Sequence, residues 1–598
     1  MHRCILGARG IANTPVSPML ETTKIDAARG VSRVGCWSQL EEKWNRIQVG
    51  RRGSYSIERL ISLEHYCKTT SWTRVILVCV LTPIPVLLAA VLLECLPLRS
   101  PSEGWVANWV FWIRVFLTVA LLAFGGNSQL ANLIPDLNHT FCKQLIVATG
   151  VAVGHIGVCI FASYIIGFPV PLLMQLGTIA YGILMSIMLR LVFGSSTFVT
   201  GSPFMIYMKK LHSFFLAFMT LIMVYPPFKV LYGSVPVAYR GVVVLVLPIW
   251  RFAAKQFSVY ATRDLEDIMP ESAAFFVDFF SSLYISACMS SPAPLYLNFL
   301  FIATDLGHIL LEIRELSYNA KAVQQYIRQE LTGSMHQVPE LKNILTIILQ
   351  AIKKTNACRT ESVRLWACLP HPLTTEQTEQ LLQLDSLAVF RRRNRSSSDR
   401  STQQTMVFRT QKGVKQSASI VPAPKTQHTK RSTNVQAVHA IVSNLVTNDS
   451  DKSEMLILQG LQLLFHCEYL ELVEYVECII PILYVVYRST LEQLPNIVYY
   501  PDGAGSWGTP SAANILLLAL LEALSLAFLQ SVLSRKFAFS AMHQLAFILE
   551  THVYLIQSKL FTGVLLLVPF ELKHFGTYPF PENPLLGSLT LPVFRCRL

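Results

Sequence analysis

Asp305, His308 and Glu312 stand at i, i+3 and i+7 in the sequence. At about 100° per residue the three share one helical face, with Asp305 deepest in an apolar run. Ionisable groups at membrane depth are costly, and they tend to face a bundle interior or a water-filled path. Carboxylates and an imidazole gathered on such a face could bind a cation or relay protons. Asp278, in the preceding apolar block beside Phe279, could face the same interior. The rival reading is structural: Glu312 and Arg314 mark a helix end, and only Asp305 is buried, paired to a neighbour.

Arg114 lies about nine residues into a run that starts at Trp105, near mid-bilayer. Pairing with Asp278 or Asp305 and snorkelling to the interface are both open to it. His155 sits among Gly150, Gly154 and Gly157, a pattern that favours close helix packing with the imidazole as a hydrogen-bonding link. The segment His466-Cys467-Glu468, Glu471, Glu474, Glu477-Cys478 holds metal-ligand residue types. Its glutamates drift about 60° per three-residue step and spread over half a helix surface, so an amphipathic helix at the membrane boundary is expected instead.

Arg391, Arg392, Arg393 and Arg395 precede Ser396, Ser397 and Ser398. Basophilic kinases select such serines, and phosphate would change the charge of the segment. A solvated basic loop that touches anionic headgroups is the plainer alternative. The chain contains no G-x-x-x-x-G-K-[ST], no H-E-x-x-H and no G-x-S-x-G on a strand–helix turn, so no enzyme class is indicated. No cofactor is implied.

These residues need elements to carry them. Of 598 residues 52% are hydrophobic and 15% charged, against about 25% charged in soluble domains. The formal charge is +13, but the basic residues are scattered over loops and one low-complexity tract, which argues against nucleic acid. None of the thirteen cysteines forms a C-x-x-C pair, so a disulfide framework or zinc site has no support. Residues 1–70 carry no apolar signal-peptide core, and Glu21 and Asp26 set the segment apart from a transit peptide.

A span needs about 20 mostly apolar residues. Candidate blocks are Val75–Leu98 (with Pro83 and Pro85), Trp105–Gly125, Gln144–Ile166, Leu172–Phe193, Leu211–Leu231, Val235–Phe252, Phe275–Met289 and Leu295–Leu311. After a polar stretch come Leu470–Tyr487, Ile515–Leu533 and Leu545–Phe570, the last interrupted by Glu550, His552, Gln557 and Lys559. The fold expected is an all-α polytopic membrane helix bundle of about ten transmembrane helices. Its parts are a cytosolic segment 1–74, a bundle of about eight helices 75–313, a cytosolic loop 314–453, a group of two or three helices 454–573 and a tail 574–598. Within the loop, 390–435 is expected to be disordered, with short helices at Leu341–Ile352 and Leu381–Phe390.

Orientation follows from charge. Residues 1–74 hold 12 Lys and Arg and residues 314–453 hold 20, with an even number of spans between them. Both segments are therefore expected in the cytosol. The sequons at Asn138, Asn394 and Asn448 then stay unmodified.

Several stretches resemble a group of uncharacterised multi-pass membrane proteins of oomycetes: Tyr55-Ser56-Ile57-Glu58-Arg59-Leu60, Leu93-Glu94-Cys95-Leu96-Pro97-Leu98, Asn108-Trp109-Val110-Phe111-Trp112-Ile113-Arg114, Gly167-Phe168-Pro169-Val170-Pro171, Phe465-His466-Cys467-Glu468-Tyr469-Leu470 and Leu494-Pro495-Asn496-Ile497-Val498-Tyr499-Tyr500-Pro501. The resemblance runs from about Tyr55 to Phe575; it implies the membrane class and carries no activity. Two functions are therefore expected to compete. One is an ion- or proton-coupled transporter or channel taking an ion or small solute at Asp278, Asp305 and His308. The other is a membrane-anchored signalling or scaffold protein that meets cytosolic proteins or kinases through 314–453. The lipid bilayer is a partner in both.

Overall fold

A computed structural model of the chain describes residues 48–134, 139–194, 198–199, 203–290, 295–332, 343–354, 363–369, 371–386, 433–501 and 503–576. Every regular element among them is a helix. Helix α1 (Ile57–Thr69) precedes a first span broken into α2 (Trp72–Leu81) and α3 (Ile84–Glu94). Pro83 and Pro85 cause the break, because proline lacks the N–H that a continuous helix needs. Spans α4 (Trp109–Leu133), α5 (Phe141–Ile166), α6 (Leu173–Phe193), α7 (Pro203–Ser234) and α8 (Arg240–Ala261) follow. Next, α9 (Met269–Ala273) runs through a π turn at Ala274–Asp278 into α10 (Phe279–Ser290). Beyond it lie α11 (Leu295–Thr332), α12 (Ile344–Lys354), α13 (Thr375–Ser386), the 59-residue α14 (Thr433–Leu491), α15 (Thr509–Phe537), α16 (Ala541–Thr551) and α17 (Val553–Leu567).

Nine helices among the described residues are long and apolar enough to cross a bilayer. The chain is thus a multi-pass integral membrane protein with an all-α bundle. The expected block Leu545–Phe570 is two helices, α16 and α17, parted at His552. Helices α11 and α14 stand outside the set of nine, and α14 carries Glu468, Glu471, Glu474 and Glu477.

Local chemistry fixes where helices start. Ser56, Ser71, Thr140 and Ser540 each accept a hydrogen bond from the backbone N–H three residues on, capping α1, α2, α5 and α16. Helix α5 ends at Gly167, whose φ of +100° a side-chain-bearing residue would resist. The short turn that follows folds α6 back onto α5. Leu184 and Met188 of α6 lie where Cβ atoms at Gly154 and Gly150 would sit, so the small residues of α5 do permit close packing. The 574–598 tail begins in contact with this turn: the Leu172 N–H donates to the Gly576 carbonyl at 3.3 Å.

The bundle has an inside and an outside. Large apolar residues such as Leu88, Val153, Ile179, Leu245 and Leu520 are exposed on the outer spans, the surface that hydrocarbon would cover. Two elements are enclosed instead. All of the apolar window within Glu266–Ser290 is buried, and so is every residue from 463 to 477 of α14. A helix buried all round needs no amphipathic face. The expected amphipathic helix at 466–478 is therefore wrong: this stretch is core, and its glutamates point inward in several directions.

Part of the expected 314–453 loop also belongs to the folded body. Helix α11 continues to Thr332, and Ile344, Leu345 and Ile348 of α12 are buried. The expected helix Leu341–Ile352 is α12; the one expected at Leu381–Phe390 lies earlier, as α13. Backbone hydrogen bonds from Ile57 N and Glu58 N to the carbonyls of Arg364 and Leu365, each 3.0 Å, tie this segment to the start of α1.

Candidate functional site

Helix α8 carries Arg251 and Lys255 one turn apart, on one face and just beyond Pro248. Both reach inward to the π turn, whose last residue is Asp278. One Arg251 Nη2 hydrogen lies toward Asp278 Oδ1 at 2.8 Å, and Nη1 donates to Asp305 Oδ1 at 3.2 Å. Nη2 also contacts Glu477 of α14. Lys255 Nζ is 3.1 Å from Asp278 Oδ1 and 3.3 Å from Glu312 Oε1. His308 Nδ1 meets the same Glu312 oxygen at 3.3 Å, at the more open edge of the cluster. From α15, Glu522 completes a trio: carboxylate oxygens of Asp305, Glu477 and Glu522 all lie within 4.8 Å of one another.

The structure thus brings together Asp278, Asp305, His308 and Glu312, the group expected from spacing alone. Arg114 is elsewhere. It forms a two-pronged pair with Glu94 of α3, with Nη1–Oε2 at 2.7 Å, and meets neither Asp278 nor Asp305. Tyr487 and Tyr500 hydroxyls donate to the same Glu94 carboxylate, at 2.5 and 2.9 Å. Arg114 therefore knits α3, α4 and the end of α14. Ser396, Ser397 and Ser398 lie outside the described residues.

Arg251, Lys255 and Glu522 are the partners that spacing arguments missed, and Glu477 was assigned another role. The signal existed, since each is an isolated ionisable residue inside or beside an apolar block, the criterion that singled out Asp305. The metal-type residues at 466–478 do not converge. His466 Nδ1 lies 2.8 Å from Asn319 Nδ2, Cys467 is buried apart, and Glu468 pairs with Arg59 at 2.8 Å. His155, expected as a hydrogen-bonding link, has no partner on Nδ1 among the described residues; its ring instead fills the space beside Gly177.

Two further buried networks fasten the bundle. Glu271 accepts from Lys559 Nζ at 2.9 Å and lies 2.8 Å from His552 Nδ1, bridging α9 to α17. Asp267 pairs with Arg364 at 3.0 Å and accepts from the Cys368 N–H, which docks the 363–369 segment. Beyond the apolar part of α11, burial pushes the Glu315 carboxyl up to about 8, against the pull of Arg51. His371 stacks on Phe547 and His552; burial, with Arg59 and His552 nearby, holds its ring well below the ordinary imidazole range.

Arg114 and Glu94 match one to one, and Arg364 is shared by two carboxylates, Glu266 and Asp267, whereas Arg251 is shared by three. No protein-family profile, curated protein or solved structure matches this chain, so the chemistry of that cluster is what speaks to function.

Proposed function

We propose that this protein is an ion- or proton-coupled transporter or channel whose coupling site is the Arg251 cluster. One observation carries the reading. Among the described residues, five carboxyl groups (Asp278, Asp305, Glu312, Glu477 and Glu522), four of them buried, gather around two fixed cations, Arg251 and Lys255. Excess negative charge in a low-dielectric interior is strongly unfavourable, and a proton or a mobile cation must offset it. A cluster serving only to hold helices together has no need of that excess.

Helix irregularities gather at the same place. Pro248 precedes Arg251 by one turn, the π turn ends on Asp278, and Pro481 follows Glu477 by one turn. Interrupted helices beside a charged intramembrane site suit alternating access, because the weak points let half-helices move. The reading keeps the basic segments 1–74 and 314–453 on the cytosolic side, on the strength of their Lys and Arg content.

The test is thermal stability of the detergent-purified protein across pH and a panel of Na⁺, K⁺, Mg²⁺ and Ca²⁺, wild type against Asp305→Asn. An ion that binds the folded state raises its melting temperature, by about 2.7 kcal/mol of stability at 100 times Kd. The expected result is a response to one ion or to acidification that Asp305→Asn loses. A flat response in both proteins would make the cluster a structural one.

A further inference from the structure

Two kinds of positive charge could balance the Arg251 cluster: a metal cation or protons. Arg251 itself bears on the choice. Its guanidinium already contacts Asp305 and Glu477, two of the three carboxylates that lie close enough to share one cation. A divalent ion placed among them would sit against that fixed charge, at a repulsion that low dielectric strengthens. A proton on one carboxyl removes charge without adding a like neighbour to Arg251.

The carboxyl atoms left without partners point the same way. Among the described residues, Glu522 Oε2 and Glu474 Oε2 have no hydrogen-bond partner, and Glu471 has none on either oxygen. Their residues are 1%, 3% and 0% exposed. Among the described residues, the groups facing Glu471 are Cys67 of α1, Cys79 of α2, and Cys467 and Glu468 of its own helix, none of them a cation. Glu474 faces Ser525 of α15, Cys478 of its own helix, Glu312 and Asp305 of α11, and Arg251 of α8. Glu522 faces Asp305, Glu477 and Glu474. A bare carboxylate in such surroundings is costly, whereas the neutral acid is not.

Glu468, Glu471, Glu474 and Glu477 follow one another up α14 in three-residue steps. At about 1.5 Å per residue the series covers roughly 13.5 Å, close to half of a hydrocarbon layer about 30 Å thick. An open groove of about 1030 Å³ lies beside α2, between it, α1 and α16, and is lined by Ser62, His65, Thr82, Glu550 and Gln557. Thr82 lies three residues beyond Cys79, whose carbonyl accepts a 2.8 Å hydrogen bond from Tyr475 of α14, between Glu474 and Glu477.

We propose that the proton is the ion exchanged at the Arg251 cluster, and that Glu471, Glu474 and Glu522 are carboxyls that hold it. This rests on the ion-site reading above and names its ion. Each transfer takes one proton from a carboxylic acid to a carboxylate, so a donor–acceptor pair keeps its total charge, and net uptake comes from water in the groove.

Infrared spectroscopy of the purified full-length protein reads this directly through the C=O stretch of protonated carboxyl groups. The expected result is such a band near neutral pH that declines as the solution is made alkaline and is indifferent to Na⁺, K⁺, Mg²⁺ and Ca²⁺. Glu471→Gln, Glu474→Gln and Glu522→Gln each remove one component of it. Gln has the shape of the neutral acid, so these variants keep the wild-type melting temperature. The wild-type titration stands by itself should a variant fail to fold. A missing band, a band that no pH change reaches, or one untouched by all three substitutions overturns the proton assignment. If a metal ion then stabilises wild type but not Asp305→Asn, the ion-site reading survives with a different ion. If none does, both fall.

Discussion

Arg251 and Arg114 are both buried arginines in apolar helices, and they are set apart by the company they keep. Arg114 meets one carboxylate, Glu94, which two tyrosines also satisfy. Arg251 is shared among Asp278, Asp305 and Glu477. Removing one partner of a buried pair costs about 3–5 kcal/mol, because the other charge is stranded. Arg114→Gln is therefore expected to lower stability by about that much while leaving any pH or ion response intact. Arg251→Gln should abolish the response, and adding Asp278→Asn should recover part of the lost stability, since the pair is coupled. Thermal unfolding of the two singles and the double variant checks both statements. An Arg114→Gln protein with an altered ion response would place Arg114 in the site after all.

At the scale of elements, the two enclosed helices decide the geometry. Gly563 of α17 lies against the buried ring of Phe279 at the start of α10: a Cβ there would stand 2.5 Å from Cε1 and 2.6 Å from Cζ. Phe279 follows Asp278 directly, so this contact adjoins the end of the π turn that carries the carboxylate. Gly563→Val is expected to cost about 1–3 kcal/mol by overpacking. It should also weaken the ion or proton response although residue 563 touches no charged group of the cluster. A variant that loses stability but keeps the response would uncouple that packing from the site. The apolar blocks were legible in the sequence because outer spans must present about 20 apolar residues to lipid. The inner helices were misread for the opposite reason. With no lipid to face, α14 can carry an acid every third residue, and periodicity then resembles an amphipathic surface.

At the scale of the whole molecule, contacts between distant parts of the chain close α1 onto the 363–369 segment, and His371 lies beside them, its N–H donating to Glu58. Its lowered folded-state value means that the unfolded chain binds the proton more readily. Stability from this group is present above about pH 6.5 and is lost as pH falls below that value, by up to ~1.4 kcal/mol per pH unit. His371→Phe, which keeps the stacking on Phe547, should flatten the acid-side loss of melting temperature between about pH 6.5 and 5. An unchanged acid limb would assign that loss to other groups. The same closure ties the N-terminal segment to residues 363–369, so tags placed before Gln48 and after Ser386 should become accessible from the same side of the membrane. Both are expected only after permeabilisation, and sugar on Asn394 would reverse the orientation.

The sequence by itself determined the class of this protein. Long apolar runs leave a chain no stable place but a bilayer, and helices are the form in which such runs satisfy their own backbones. Spacing alone also put Asp305, His308 and Glu312 on one face, because they share a helix and helical geometry is fixed. Tertiary structure decided which charges meet. Arg251, Asp278, Asp305, Glu477 and Glu522 come from five different helices, and no periodicity within one helix reports on another. Which face of each helix turned inward depended on packing around α10 and α14, where glycines admit close neighbours and a π turn resets the register. That packing sent Arg114 to Glu94 and left Glu471 with no hydrogen bond among the described residues.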